Sequence, residues 1–166
     1  RRDLSVLVIS KSEVRSTNTY LAQGGISTAK NKDDIGLFVE DTLKAGGFEN
    51  KLSAVSVMAE ESMENIKELM ALGLELDKVT SGLSYTREGA HSINRIVHCK
   101  DQTGKAVAEA LIAEVQKRGN IQLWENTSLV ELIKRDNHCN GGILLREGKR
   151  INVYAKSMVM ATGGIG

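Results

Sequence analysis

The sequence predicts an α/β fold in which a parallel-type strand, three helices and a group of short strands follow one another along the chain. Three observations support this prediction. A largely apolar run rich in β-branched residues, "LSVLVIS", spans Leu4 to Ser10. Segments with apolar residues at helical spacing follow it, and after residue 120 the spacing of apolar residues changes to two.

The first predicted strand, Leu4 to Ser10, has the largely apolar, β-branched composition that is typical of a strand buried on both faces of a parallel sheet. A loop, "NTYLAQGGIST", is expected directly after it, from Asn18 to Thr28. Its glycines, Gly24 and Gly25, permit positive φ and a close approach of the backbone to a ligand. Gln23 offers a donor and an acceptor. Two interpretations stay open: a tight turn between a strand and a helix, or a ligand-binding loop at the sheet edge where open α/β folds bind ligands.

Three amphipathic helices are predicted, at residues 33–45, 53–72 and 102–118. Each is followed by glycine, which commonly ends helices. Ser53 is expected to cap the second helix, and Asp101 or Thr103 the third. Residues 78–100 lose periodicity and collect polar groups, so this segment is predicted to be a loop. Loops on rigid scaffolds often carry functional sites.

Short strands separated by turns are predicted in the last third of the chain. The strand candidates are "IQLWE", "SLVELIKRD", "GGILLRE", "INVYA" and "SMVMAT". Turns are expected at residues 137–142 and at Glu147-Gly148, and the last strand leads into a second glycine turn, Ala161 to Gly164. A β meander and a last buried strand after helices indicate a nucleotide-binding α/β fold with an inserted β element. Two glycine loops, each following a strand, favour one extended ligand between them.

The charge balance, the cysteines and the lengths of the apolar runs indicate which classes of binding partner are not expected. Lys and Arg number 22 against 21 for Asp and Glu, so the net charge of +1 gives no electrostatic reason to expect nucleic acid or a membrane surface. Cys99 and Cys139 are far apart and lack CxxC spacing, so no disulfide framework or metal site is predicted and a reducing, intracellular setting is expected. No apolar run approaches membrane-spanning length.

Several motifs, in order, resemble a flavoprotein family. "VLVISK", "AQGGI", "VEDTLKAG", "TREGAHS", "RIVH", "DQTGKAV" and "ATGG" look like segments of the family of L-aspartate oxidases, succinate dehydrogenases and fumarate reductases. The resemblance implies FAD in a Rossmann-like dinucleotide-binding fold, with part of a capping domain. Residues 1–166 are then expected to be a fragment of the FAD-binding domain, without the N-terminal GxGxxG strand-turn-helix and the C-terminal catalytic part.

The same resemblance implies a set of cofactor-binding residues. They are Lys11, Asn18, Thr19, Tyr20, Leu21, Ala22, Gln23, Gly24, Gly25, Val130, Glu131, Ala161, Thr162, Gly163 and Gly164. Lys11 and the run Asn18 to Gly25 match segments that wrap the ribose, pyrophosphate and isoalloxazine, and Val130 and Glu131 match a strand beside the adenine. Asn18 stands where respiratory members carry a histidine bonded to the flavin, so FAD is expected to be non-covalent.

The motif "TREGAHS" carries the candidate substrate residue. L-Aspartate has an ammonium group that succinate lacks, and this group needs a carboxylate or another acceptor. The resemblance implies that Glu88 orients this amine as a catalytic residue; the alternative is an exposed carboxylate paired with Arg87. Ala90 replaces the second glycine that is usual in this motif. His91 and Arg95 are interpreted either as positive charge for the ligand or as ordinary loop residues.

The resemblance therefore implies an FAD-dependent oxidoreductase that converts L-aspartate to iminoaspartate in pyridine nucleotide (NAD) biosynthesis. Dioxygen or fumarate is the expected electron acceptor, quinolinate synthase the downstream partner and the cytoplasm the location. The 166 residues alone are expected to be inactive. Two alternatives stay open: a soluble fumarate reductase or succinate dehydrogenase-type flavoprotein, and a non-catalytic flavin-fold module.

Overall fold

The computed structural model describes residues 3–163, which divide into two compact units. The sheet unit comprises Arg1–Ser16 and Arg118–Gly166, and the helical unit comprises Thr17–Lys117. In chain order the elements are β1 (Val6–Ile9), α1 (Asn18–Leu21), β2 (Ile26–Ser27), α2 (Ile35–Ala45), α3 (Leu52–Ala71), β3 (Lys78–Val79), β4 (Gly82–Leu83), β5 (Tyr85–Thr86), β6 (Ile96–Val97), α4 (Thr103–Gln116), β7 (Ile121–Trp124), β8 (Thr127–Arg135), β9 (His138–Arg146) and β10 (Lys149–Tyr154). The predicted α/β class is confirmed.

A parallel strand pair opens the sheet unit. β1 pairs with β7, with Val6 opposite Ile121 and Ile9 opposite Trp124. The predicted parallel strand is thus confirmed, but its burial on both faces is wrong. Val6 and Val8 are 37% and 40% exposed, so the face of β1 that carries their side chains is accessible to solvent.

The predicted β meander is confirmed. β8, β9 and β10 form an antiparallel sheet in the order β10-β9-β8. Asp136-Asn137 and Glu147-Gly148 form two-residue turns in which every residue has positive φ, as type I′ hairpin turns require. The turn predicted at residues 137–142 is shorter than expected. Gly141 and Gly142 lie within β9 instead, and both are buried against neighbouring chain segments.

The predicted strand "SMVMAT" is wrong. The described residues from 157 to 163 have no regular secondary structure. Val159 is 90% exposed, and apolar residues form a strand only where another strand supplies hydrogen-bonding partners. The second glycine turn therefore follows an irregular segment.

The helical unit contains the three predicted helices with shifted ends. α2 packs on α3, and Phe38, Ala59 and Ala29 form one buried cluster between them and the chain after β2. A second cluster contains Ile66, Leu74, Leu76 and Val97. Helix periodicity located these elements because their apolar stripes face these two clusters.

The predicted helix caps are wrong at both sites. α3 begins at Leu52 after Lys51, so Ser53 lies inside the helix. α4 follows Gln102, which makes no side-chain cap. Thr103 Oγ1 instead accepts a hydrogen bond from Cys99 N at 3.0 Å, so this hydroxyl is used by the preceding loop. The predicted end of α3 is confirmed, because Gly73 adopts φ +105° immediately after Leu72.

The segment predicted as a loop at residues 78–100 contains four two-residue strands. β6 is the central strand of a small antiparallel sheet, between β2 and β5. Strands this short leave no periodic signal in the sequence. The sheet places β2, which follows Gly25, beside β6, which follows Glu88; β5, which precedes Glu88, lies on the other side of β6.

The segment predicted as a glycine loop begins with a helix. Thr17 Oγ1 accepts a hydrogen bond from Tyr20 N at 3.4 Å and caps α1. Gly104 packs against this short helix, where a Cβ would lie 2.0 Å from Thr19 O. The glycine pair therefore does not directly follow β1, because α1 and a 3-10 turn at Val14–Ser16 intervene.

Within residues 3–163, no helix is both long and apolar enough to cross a membrane. The same residues contain no group of three or more His, Cys, Asp or Glu side chains arranged to hold a metal ion.

Candidate functional site

The structural constraints on the two glycines of the predicted binding segment differ. A Cβ on Gly25 would lie 2.2 Å from Ile96 Cγ2 and 2.5 Å from Val97 O, so close packing on β6 requires glycine there. A Cβ on Gly24 would meet only Glu88 Oε1, at 3.9 Å. Gly24 is exposed, and a Cβ there would be in ordinary van der Waals contact with the Glu88 carboxylate.

Glu88 lies on the connection between β5 and β6, with its side chain exposed. The structure thus brings together two sequence-predicted residues, Gly24 and Glu88, that are 64 positions apart. Arg87, the other partner that the sequence offers Glu88, donates from Nη1 to Ser92 O at 3.4 Å.

Glu88 begins a tight turn with a strained residue. His91 N donates to Glu88 O at 3.4 Å, and Ala90 within the turn has φ +73°. A residue with a Cβ pays roughly 1 to 2 kcal/mol for the left-handed conformation. This is the position where glycine is usual in the motif that the sequence resembles, so the surrounding contacts must hold Ala90 in place.

Two side chains anchor the residues after Ala90. His91 Nε2 lies 3.0 Å from Ser27 Oγ, in β2, and its ring centroid is 5.9 Å from that of Phe38. Ser92 N donates to Asp41 Oδ2 at 2.8 Å, and Ser92 Oγ donates to the other oxygen of the same carboxylate. The Glu88 turn is therefore tied to β2 and to α2.

Arg95 is fully buried beneath these anchors. Its Nη2 atom lies 2.9 Å from Asp34 Oδ1 and 3.3 Å from Asp41 Oδ2, and its guanidinium carbon lies 4.8 Å from the Phe38 ring centroid. Arg95 O accepts a hydrogen bond from Thr28 N at 3.0 Å. Arg95 is therefore a structural cation, and the interpretation in which it faces a ligand is not supported.

Asp41 is the acidic partner shared by Arg95 and Ser92. Burial raises the pKa of the Asp41 carboxyl, but the two hydrogen bonds from Ser92 and the positive charge of Arg95 outweigh burial and hold it below 3.8. Asp41 therefore accepts these hydrogen bonds as a carboxylate.

An open pocket of about 240 Å³ lies beside this network. Its lining residues are Asp41, Lys44, Ala45, Ala90, His91 and Ser92. Sequence reasoning missed the two buried aspartates, because an aspartate on an amphipathic helix normally faces water. The signal that was present is their spacing: Asp34 and Asp41 are seven residues apart, which places them on one face of the helix.

In the sheet unit, Lys11 is the second residue after β1. Ser10, just before it, is hydrogen-bonded on both sides: its N–H donates to Trp124 O at 2.9 Å, and its carbonyl accepts from Thr127 N at 2.8 Å. Lys11 is exposed, so it presents a cation at the carboxyl end of a parallel strand pair.

Val130 occupies a β-bulge. Leu129 pairs with Leu144 and Glu131 pairs with Ile143, so Val130 is the extra residue of β8. A bulged residue leaves the regular ladder, and Val130 is 47% exposed.

The second glycine turn is partly described. Ala161, Thr162 and Gly163 are exposed, and Gly163 has φ +72°. Gly164 lies outside the described residues. The left-handed glycine agrees with the turn predicted here.

Taken one unit at a time, these residues fit the chemistry of FAD. In the helical unit, Asn18, Thr19 and residues 21–25 are exposed. Tyr20 is half-buried, and its hydroxyl donates to Glu109 Oε1 at 3.1 Å. The sheet unit supplies a cation, a bulged strand and a left-handed glycine.

Comparison with known proteins identifies the class. Residues 1–166 match the family described as FAD binding domain. The whole chain is 46% identical to L-aspartate oxidase of Clostridium perfringens and 48% identical to that of Clostridium acetobutylicum. It spans 38% of the length of each of these relatives. A solved structure described as Mycobacterium smegmatis Sdh1 in complex with UQ1 has a TM-score of 0.93 and 28% identity, covering 99% of this chain and 31% of that one.

The chain belongs to the FAD-binding domain family, because that family matches it from end to end. The flavoprotein resemblance seen in the sequence motifs is thereby confirmed.

The lowered pKa of Asp41 predicts a pH-dependent contribution to stability. Because the folded protein favours the carboxylate, this contribution is present above pH 3.8 and is lost as the pH falls through the lower folded pKa. Asp41→Asn should lower the free energy of unfolding at pH 7 by about 3 kcal/mol, the lower end for breaking a buried pair, since Asp34 still faces Arg95. The difference from wild type should shrink toward pH 3 in urea denaturation.

The exposed neighbour Asp33 is the matched control. Asp33→Asn should change the free energy of unfolding by no more than about 0.5 kcal/mol at either pH. A destabilisation by Asp41→Asn that is equal at pH 7 and pH 3 would contradict the assigned role of its charge.

Proposed function

We propose that the full-length protein is an FAD-dependent L-aspartate oxidase, which converts L-aspartate to iminoaspartate. The two relatives that are 46% and 48% identical over the whole chain are L-aspartate oxidases. The structural observation that supports the proposal is that the Glu88 carboxylate lies beside Gly24. A carboxylate can accept hydrogen bonds from an ammonium group, and Gly24 belongs to the segment that we propose to contact the flavin.

Glu88 is proposed to bind the substrate amine. A carboxylate forms a charge-assisted hydrogen bond with an ammonium group, and it repels the carboxylates that succinate and L-aspartate share. Glu88 therefore favours the amino acid over the plain dicarboxylate. By holding the amine, Glu88 also fixes the direction of the substrate Cα–H bond.

FAD supplies the acceptor for the hydride that leaves the substrate α-carbon. We propose that Lys11, the run from Asn18 to Gly25, the strand residues Val130 and Glu131 and the turn from Ala161 to Gly164 bind it. Lys11 provides positive charge for the pyrophosphate, and exposed backbone N–H groups near Gly24 provide neutral donors. The Asn18 amide is not a nucleophile, which supports non-covalent binding.

We also propose that residues 1–166 form one part of the FAD-binding domain, since the chain spans 38% of the length of its relatives. The expected electron acceptors are dioxygen or fumarate. Iminoaspartate would pass to quinolinate synthase in NAD biosynthesis, in the cytoplasm. These assignments follow from the proposed reaction.

The proposed reaction predicts that L-aspartate, and not succinate, bleaches the oxidised flavin band of the full-length protein under anaerobic conditions. Glu88→Gln should weaken the response to L-aspartate by about 10- to 100-fold in kcat/KM, because it removes a hydrogen bond between charged groups worth roughly 1.5 to 3 kcal/mol. The measurement is stopped-flow absorbance of the flavin.

Glu60→Gln, on an exposed position of α3, is the matched control and should leave the rate unchanged. Bleaching by succinate alone would favour a succinate dehydrogenase-type flavoprotein. A protein that binds FAD but is bleached by neither compound would favour a non-catalytic flavin-fold module.

A further inference from the structure

We propose that Ser92 and Asp41 are positioning residues that set the amine specificity of the site by holding the Glu88 turn in its strained conformation. This inference rests on the proposed function of Glu88. Neither residue faces the Glu88 carboxylate in any contact described above, so both act through the backbone of residues 88–92.

The turn that begins at Glu88 is strained. Ala90 has φ +73° inside the turn closed by the hydrogen bond from His91 N to Glu88 O. That hydrogen bond is long, at 3.4 Å, so it is a weak closure. Left to itself, an alanine would relax to negative φ, and the direction of the Glu88 side chain would change with it.

Hydrogen bonds from Ser92 to Asp41 anchor the turn against this relaxation. Ser92 gives Asp41 two hydrogen bonds, one from its N–H and one from its hydroxyl. Asp41 is 6% exposed and is itself held by Arg95, whose Nη2 lies 3.3 Å from it. A buried carboxylate paired with a buried cation cannot move without leaving charge unpaired. Ser92 is thus bound to a fixed point only four residues from Glu88.

The buried cluster also connects the anchored turn to the segment that contains Gly24, and this connection bears on the selectivity for an amine. Glu88 Oε1 lies beside Gly24, and Gly24 precedes β2, which pairs with β6. Arg95 immediately precedes β6 and also accepts the N–H of Thr28, which follows β2. The same buried cluster therefore fixes both the segment that contains Gly24 and the turn that contains Glu88. Loosening Ser92 should move Glu88 without moving Gly24.

The test compares two ligands that differ only in the amine. In the full-length protein with FAD, Ser92→Ala should raise the KM for L-aspartate about 10-fold and leave the Ki of succinate, as a competitive inhibitor, within about 2-fold. FAD content should stay near the wild-type value, and the melting temperature should fall by a few degrees, because the variant loses one hydrogen bond to a buried carboxylate. Ser92→Thr, which keeps the hydroxyl, should restore the KM. Ser81→Ala, in the exposed turn between β3 and β4, is the matched control.

A second variant uses the strain itself. Glycine adopts positive φ without penalty. In an Ala90→Gly background the conformation of the turn should therefore depend less on the hydrogen bonds from Ser92 to Asp41. Ser92→Ala should then raise the KM for L-aspartate by less than 3-fold. An unchanged 10-fold effect in that background would contradict the proposed role of strain.

The outcomes separate this inference from the proposed function. If Glu88→Gln changes the KM for L-aspartate selectively and Ser92→Ala does not, the positioning role is wrong and the role of Glu88 stands. If Ser92→Ala weakens L-aspartate and succinate equally, Ser92 supports the whole site and does not set amine specificity. If Glu88→Gln itself affects both ligands equally, the proposed function of Glu88 fails first.

Discussion

The ion cluster of Arg95 with Asp34 and Asp41 is the interaction on which the helical unit depends. Arg95 is 0% exposed, and the two aspartates are each 6% exposed. Charges buried to this extent are tolerated only when opposite charges compensate them. Asp34 is fixed in turn, because its second carboxylate oxygen accepts Lys30 N at 3.1 Å. The cluster thereby joins the start and middle of α2 to the edge of β6.

This cluster explains why a candidate site exists on an irregular segment. Residues 87–95 form no regular secondary structure, so their position depends on side-chain contacts. Ser92 donates hydrogen bonds to Asp41 on α2, and His91 contacts Ser27 on β2. Arg95 pairs with Asp41 and also with Asp34, just before α2. A loop held at several points can present a carboxylate in one direction, as recognition of a substrate amine requires.

Much of the fold was predictable from the sequence, since helix and meander periodicities depend on local residue order. Errors arose where long-range contacts decide the outcome. "SMVMAT" has strand composition but no described strand partner, and the Thr103 hydroxyl bonds to Cys99 N instead of capping α4. The short strands β2, β5 and β6 exist only because they pair with one another.

The candidate site was predictable in part, for a similar reason. Motif resemblance located Gly24 and Glu88, and the structure places them together. The motif resemblance did not explain Gly25, which must be glycine because a side chain there would collide with β6. It also left the role of Arg95 open, because nothing in a single sequence distinguishes a buried arginine from one that faces a ligand.

The most direct measurement is amide hydrogen exchange, resolved to single residues, in the full-length protein. If the Arg95 cluster holds both segments, the Ser92 and Thr28 amides should exchange slowly and with the same opening free energy, and the exposed amides of Gly89 and Ala90 should exchange much faster. A Ser92 amide that exchanges as fast as that of Gly89, while Thr28 remains protected, would show that the Glu88 turn is not anchored and would contradict the positioning of Glu88 by the buried cluster.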